Sequence, residues 1–191
     1  MSNTSIMIVG VGGQGTLLAS RILGNTLIGA GYDVKVSEVH GMSQRGGSVT
    51  TYVRFGEKVW SPIIEKGGAD IILSFELLEA LRALPYLKPD GQIIVNTQQI
   101  DPMPVITGAA EYPADILEQY AARGVQIDAF DALALAQEAG SIKAVNVVLI
   151  GLLARNTSIP REQWEETIRT TVPPKFLEIN LKAFALGYEH Q

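Results

Sequence analysis

The sequence GVGGQG at residues 10–15 has the residue types and spacing of a phosphate-binding turn. It directly follows the apolar run IMIV at residues 6–9 and precedes a segment with helical periodicity, which is the context that such a turn requires. Glycines here allow a tight turn and close approach of backbone, and the free N–H groups of a helix start attract an anion. The residues predicted to contact a phosphate-bearing ligand or a partner are Gly10, Gly12, Gly13, Gln14 and Gly15.

A second glycine-rich loop, HGMSQRGGSV at residues 40–49, follows the predicted strand VKVSE at residues 34–38. In an open sheet this loop leaves the carboxyl end of its strand, and ligands of such folds bind at that edge. An arginine in this loop offers a guanidinium group that can donate two hydrogen bonds to an anion, and its polar neighbours offer hydroxyl and amide donors. The residues predicted to serve binding or an interface are Ser43, Gln44, Arg45, Gly46 and Gly47. The alternatives are a solvated loop here and, for GVGGQG, glycines that serve only a sharp strand-to-helix turn.

Individual polar and aromatic residues extend this list of candidates. Glu38 ends the second predicted strand, roughly where a ribose-binding carboxylate is expected, and it keeps NAD open as a ligand. His40 can exchange a proton near neutral pH, but the sequence places no carboxylate to orient it. Asn146 lies in the apolar segment KAVNVVLIGLLAR, and we expect it to hydrogen-bond a loop backbone. Trp60 and Trp164 are expected to be core or interface aromatics.

The composition limits the chemistry that this chain can carry. It has no cysteine and only two histidines, His40 and His190, which excludes disulfides, thiolate catalysis, ligation of iron–sulfur clusters and a histidine-rich metal site. The net charge is −5, and the 15 basic residues are scattered along the chain, so the sequence predicts no basic patch to which nucleic acid could bind. We therefore expect no metal ligand and no catalytic residue in this chain.

Length and patterning predict one α/β domain over residues 1–191. The 191 residues are 47% apolar, no run is long enough to cross a bilayer, and the N-terminus has no signal-like region, so a cytoplasmic location is expected. Short apolar runs alternate with helical periodicity, which predicts a Rossmann-like, doubly wound and mostly parallel sheet. We expect a β-rich insertion, with a strand at 48–56 and a short return strand at 57–62, and a helical C-terminal part. A turn is predicted at 89–91 and a helix opening at Pro113.

Three segments together resemble a known family. IMIVGVGGQGTLLASRIL, EVHGMSQRGGSVTTYVRFG and KAVNVVLIGLLAR are similar to the gamma-type domain of the 2-oxoacid:ferredoxin oxidoreductases, and most closely to the small subunit of the indolepyruvate type. The most specific parts of the resemblance are the motifs GVGGQG and GMSQRGGSV, which lie about 30 residues apart. This pair of motifs, in this order, is not expected in an ordinary dinucleotide-binding domain.

The resemblance implies a subunit of a heteromeric complex that oxidatively decarboxylates a 2-oxoacid, either an aryl pyruvate or pyruvate. The complex would pass electrons to ferredoxin and the acyl group to coenzyme A. Thiamine diphosphate and the iron–sulfur clusters would belong to a partner subunit, in agreement with the missing cysteines and the lack of a GDG…N motif. This chain would be inactive alone and would contribute the subunit interface and part of the coenzyme A site through its two glycine loops.

Two other readings of the sequence stay open at this point. One is an NAD(P)-binding dehydrogenase or sensor domain, supported by the glycine turn and Glu38. The other is a purely structural assembly subunit with no ligand of its own. The choice of 2-oxoacid, the roles of Glu38 and His40, and a homodimer in isolation are not decided by the sequence.

Overall fold

A six-stranded sheet with helices on both faces makes up the described part of the chain, residues 3–41 and 46–190 of a computed structural model. The strands are β1 (Thr4–Val11), β2 (Asp33–His40), β3 (Ser48–Gly56), β4 (Ala69–Ser74), β5 (Leu87–Asn96) and β6 (Gln126–Phe130). The α-helices are α1 (Thr16–Gly29), α2 (Leu77–Ala83), α3 (Met103–Ile106), α4 (Ile116–Ala122), α5 (Ala132–Ala139), α6 (Val145–Arg155), α7 (Arg161–Thr171) and α8 (Leu177–Glu189).

The strand order is β2-β3-β1-β4-β5-β6, and β3 is antiparallel to both of its neighbours. The other pairings, β1 with β4, β4 with β5 and β5 with β6, are parallel. Five of the six described strands therefore end at one edge of the sheet, which we call the carboxyl edge; the opposite side is the amino edge. The prediction of a Rossmann-like, mostly parallel sheet is confirmed, and the predicted strand at 48–56 of the β-rich insertion is β3.

Strand β1 is buried on both faces because helices cover the sheet on both sides. Ile6 and Ile8 belong to the core formed with α1 and with α5 to α8, whereas Met7 and Val9 belong to the core formed with α2 and α4. Successive side chains of a strand point to opposite faces, so an unbroken apolar run is what a doubly covered strand needs. The apolar run IMIV therefore correctly predicted a strand in the interior of the sheet.

The expected return strand at residues 57–62 is wrong, because this segment pairs with no strand in the described structure. Both edges of β3 are already paired, with β1 and β2, so no edge is left for a third partner. The segment is held instead by Arg54, which donates to the carbonyl oxygens of Ser61 and Ile63. Trp60 is 86% exposed and is not a core residue, whereas Trp164 is fully buried.

Two smaller predictions also differ from the structure. The turn expected at 89–91 lies inside β5, where the register against β4 shifts between Ala69 and Ile71 and leaves extra residues on β5. The helix expected to open at Pro113 begins at Ile116. Pro89 and Gly91 lie at a strand irregularity in β5, and Pro113 lies in the loop that precedes α4.

The C-terminal helices pack closely because two glycines remove side chains where α6 and α8 cross. A Cβ atom on Gly187 would lie 2.0 Å from the carbonyl oxygen of Val148, and one on Gly151 would lie 2.3 Å from that of Phe184. Every residue of α6 from Val145 to Ala154 is buried. Among the described residues, no helix has both the length and the apolar character needed to cross a membrane.

We expect Gly187→Ala to lower the free energy of unfolding by about 1–3 kcal/mol, because the added methyl group must push the two helix backbones apart. The matched control is Gly24→Ala in α1, where the nearest atom to the new Cβ is Val36 Cγ2 at 3.8 Å. This control should gain up to about 1 kcal/mol from helix propensity. Urea unfolding of the isolated chain measures both values, and a Gly187→Ala variant as stable as the parent would refute the close crossing.

Candidate functional site

The glycine turn between β1 and α1 is braced by the side chain of Gln14. Its Oε1 accepts the Val11 N–H at 2.8 Å, and its Nε2 donates to the Phe75 carbonyl oxygen at 3.0 Å. The amide group thus ties the turn to the residue that follows β4. Of the predicted ligand contacts in this turn, Gln14 uses its side chain within the protein, which leaves the glycine backbone as the surface that a ligand can approach.

Gly15 lies where a side chain has no room. Its φ is +86°, in the left-handed region that favours glycine, and a Cβ atom there would be 2.7 Å from Asn146 Nδ2. Asn146 donates from Nδ2 to the Gly15 carbonyl oxygen at 3.2 Å, which confirms that this buried amide hydrogen-bonds a loop backbone. The close approach at Gly15 is thus between α1 and α6, and not between α1 and β1 as the glycine spacing suggested.

The two glycine-rich loops meet at the carboxyl edge. The Gly12 N–H donates to the Gly47 carbonyl oxygen at 2.8 Å, and the Gly46 N–H donates to the Gly12 carbonyl oxygen at 3.4 Å. The sequence predicted two separate glycine loops, and the structure joins them into one surface. Ser43, Gln44 and Arg45 lie outside the described residues, so their contribution stays a prediction.

Two surface hollows open beside the glycine turn. The first, which we call the Glu38 hollow, has a volume of about 430 Å³, and the second, the Lys143 hollow, has a volume of about 400 Å³. Gly13 and Gly15 line both. The first N–H groups of α1 have no partner inside the helix and carry the positive end of its dipole. A ligand lying across the turn would place an anionic group against them.

Glu38 and His40 line the Glu38 hollow, but from an edge strand. In the dinucleotide-binding order the second strand lies next to the first, whereas here β3 separates β2 from β1 and adds a spacing of about 5 Å. The ribose position that Glu38 suggested is therefore not reproduced. His40 is exposed, and its Nδ1 lies 3.3 Å from the neighbouring Gly41 carbonyl oxygen, with no carboxylate orienting the ring among the described contacts.

Sequence reasoning missed Lys143, which lines the second hollow together with Gln98 and the glycine turn. It is exposed and stands two residues before α6, and its own N–H donates to Ser141 Oγ at 3.3 Å. A cation is disfavoured by the dipole at the amino end of a helix. The place of Lys143 beside the glycine turn follows from contacts between distant parts of the chain, so the local sequence carried no clear signal for it.

A third hollow, at the amino edge, does not favour an anion. This hollow, of about 290 Å³, is lined by Tyr32, Phe55 and Ile159, and its one charged lining residue is Glu57. A carboxylate repels anions. Across residues 3–41 and 46–190, no three histidine, cysteine, aspartate or glutamate side chains come close enough to hold a metal ion.

Exposed apolar side chains surround the glycine loops. Leu17 and Ile142 line the two hollows and are more than half exposed. Val39 lies at the end of β2, and Met103 and Ile106 lie on the connection that follows β5, so all three stand on the same edge of the sheet. Apolar surface around a polar site is typical of a contact with another protein.

Comparison with known proteins shows the family of this chain. The family model for pyruvate ferredoxin/flavodoxin oxidoreductase matches residues 5–190. The indolepyruvate oxidoreductase subunit IorB of Thermococcus kodakarensis is 49% identical over 192 residues, covering 98% of this chain and 95% of the relative.

Two solved structures have the same fold. Pyruvate oxidoreductase subunit PORC of Thermotoga maritima has a TM-score of 0.76 at 23% identity and covers 99% of this chain and 97% of its own. The 2-oxoglutarate:ferredoxin oxidoreductase of Magnetococcus marinus, solved with 2-oxoglutarate, coenzyme A and succinyl-CoA bound, has a TM-score of 0.70 at 18% identity. This match covers 98% of our chain and 31% of the larger one.

The family model covers nearly the whole chain, and the relative that is 49% identical has nearly the same length. The chain belongs to the pyruvate ferredoxin/flavodoxin oxidoreductase family and is the small subunit of a 2-oxoacid:ferredoxin oxidoreductase.

Proposed function

We propose that the chain acts as one gamma-type domain that docks on a catalytic subunit and contributes part of the coenzyme A site at its carboxyl edge. The observation that carries the proposal is the meeting of the two glycine loops at the start of α1, joined by the hydrogen bond from Gly12 to Gly47. Lys143 adds a positive charge to the wall of the adjacent hollow. These groups suit a ligand that carries several phosphate oxygens.

Coenzyme A fits the chemistry of this surface. Its anionic phosphates match the helix start and the lysine, and each hollow is of the size that small-molecule sites have in proteins. The Magnetococcus enzyme, whose fold includes this one, was solved with coenzyme A bound. The contacts that we propose are the backbone of Gly12, Gly13 and Gly15, the loop residues Ser43, Gln44, Arg45, Gly46 and Gly47, and Lys143, with Gln14 bracing the turn. Gly10, which the sequence also suggested as a contact, is buried inside β1, where a side chain would clash with Gln14 and Phe75.

The redox chemistry belongs to the partner. The chain has no cysteine to hold an iron–sulfur cluster, and its polar side chains at the site support loops. Thiamine diphosphate and iron–sulfur clusters bound to the catalytic subunit would supply decarboxylation and electron transfer. The 49% identity to an indolepyruvate oxidoreductase subunit supports an aryl pyruvate as the 2-oxoacid.

The partner would dock on the carboxyl edge. The exposed apolar side chains around the glycine loops would be buried there, and the same contact would enclose coenzyme A between the two subunits. Closing the site in this way excludes water from the acyl transfer, which protects a thioester product from hydrolysis. The expected cytoplasmic location is compatible with such a complex.

Replacing Lys143 with alanine should raise the KM for coenzyme A about fivefold and leave kcat within about twofold, because an exposed charge contributes a modest, screened attraction. Arg45→Ala should act in the same direction. Lys66→Ala is the control, since this exposed lysine precedes β4 at the amino edge. Steady-state assays of the assembled complex measure these values, and an unchanged KM in both the Lys143 and Arg45 variants would contradict the proposed site.

A charge placed on the carboxyl edge should weaken assembly. We expect Ile142→Glu to raise the dissociation constant for the catalytic subunit at least about tenfold, because burial of an unpaired carboxylate at an interface is unfavourable. The matched control is Ile28→Glu at the far end of α1: the two isoleucines are 58% and 60% exposed. Co-purification and titration with the catalytic subunit test this, and equal effects of the two substitutions would refute docking at this edge.

A further inference from the structure

Glu76 is a buried carboxylate that the proposed function does not use. It stands at the N-cap of α2, directly beyond the end of β4, and is 1% exposed. Its Oε2 accepts the Glu79 N–H at 2.9 Å, which is an ordinary capping bond. The other oxygen makes contacts that helix capping does not require.

The Oε1 atom of Glu76 accepts two hydrogen bonds from one long connection. The Ile100 N–H donates to it at 3.1 Å, and the Tyr112 hydroxyl donates to it as well. The same hydroxyl accepts the Leu78 N–H at 3.1 Å. A single carboxylate oxygen therefore fixes residues 100 and 112, which are the two ends of the segment that contains α3.

This segment lies at the site and has little core of its own. No residue of α3 is buried, and Met103 and Ile106 on it are exposed. At its beginning, Gln98 lines the Lys143 hollow, and the Gln98 carbonyl oxygen accepts the Leu77 N–H at 3.1 Å. Of residues 98–112 only Tyr112 packs against the hydrophobic core, so hydrogen bonds to the first turn of α2 contribute much of what holds the segment in place.

The hydroxyl of Tyr112 stays available as a donor. Burial and the adjacent Glu76 carboxylate both raise the pKa of Tyr112 above its usual value. The phenol therefore remains protonated and bonded to Glu76 throughout the pH range in which such an enzyme works. The hydrogen bond between Tyr112 and Glu76 therefore persists within that range.

We propose that Glu76 is a positioning residue, whose carboxylate holds residues 98–112 so that Gln98 and α3 are correctly placed for coenzyme A and the catalytic subunit. The inference rests on the proposed function of the carboxyl edge. It differs from a purely structural role because the element that Glu76 fixes lies outside the hydrophobic core and beside the ligand surface.

Glu76→Gln tests this inference with almost no change in shape. An amide keeps one oxygen, and its NH₂ group must face either the Ile100 N–H or the Glu79 N–H, so a donor meets a donor in both orientations. In the assembled complex we expect the KM for coenzyme A to rise about five- to tenfold while kcat stays within about twofold. Where the NH₂ group faces the Ile100 N–H, hydrogen exchange of the Ile100 amide should become at least about tenfold faster.

Tyr112→Phe is the second variant, because it removes the hydroxyl that bonds Glu76 and Leu78 and keeps the ring. It should raise the same KM about threefold, and it decides the question if Glu76→Gln does not fold. Glu118→Gln on the exposed face of α4 is the control and should change neither KM nor exchange at Ile100.

The outcomes separate this inference from the proposed function. An unchanged KM in Glu76→Gln or, where that variant does not fold, in Tyr112→Phe, together with a raised KM in Lys143→Ala, would overturn the positioning role and leave the coenzyme A site standing. An unchanged KM in Glu76→Gln, Lys143→Ala and Arg45→Ala alike would overturn both. Faster exchange at Ile100 together with a raised KM supports the positioning role, and faster exchange with an unchanged KM contradicts it. Where the NH₂ group faces Glu79 and exchange at Ile100 is unchanged, the KM of Tyr112→Phe decides.

Discussion

The antiparallel pairing of β3 with β1 is the interaction on which the site depends. In its register Val11 lies opposite Ser48, so the residues just beyond them, Gly12 and Gly47, must come together at the carboxyl edge. Two glycine loops that are about 30 residues apart in the sequence thereby become one surface, joined by backbone hydrogen bonds. A strand inserted between β1 and β2 also moves Glu38 away from the ribose position of a dinucleotide fold. One change of topology thus departs from the dinucleotide-binding strand order and joins the two glycine loops.

Three of the described polar side chains at this edge hold loops in place. Gln14 ties the glycine turn to the end of β4, Asn146 ties it to α6, and Glu76 ties the segment around α3 to α2. Each of these groups has its hydrogen bonds satisfied inside the protein, which makes the backbone rigid before a ligand arrives. Such a preorganised surface suits the accessory role that we propose for this chain, with the chemistry carried out by its partner.

Local patterns predicted the parts of the fold that local physics determines. The apolar run of β1, the glycine turn and the loop-binding role of Asn146 follow from periodicity, backbone freedom and the need to satisfy a buried amide. The return strand at 57–62 failed because a pattern of side chains cannot show that both edges of β3 are occupied. Lys143 and Glu76 were missed for a related reason: each gains its role from a partner element distant in sequence, the glycine turn in one case and the segment around α3 in the other. Such contacts are set by topology, which a single sequence specifies only indirectly.

The central claim is that the joined glycine loops receive the phosphates of coenzyme A in the assembled enzyme. Hydrogen exchange of the complex, measured with and without coenzyme A, tests it at the backbone itself. Slower exchange at the amides of residues 12–18 and 46–48 when coenzyme A is added is the expected result. Protection confined to the amino edge around Tyr32 and Phe55, or no protection anywhere in this chain, would contradict the claim.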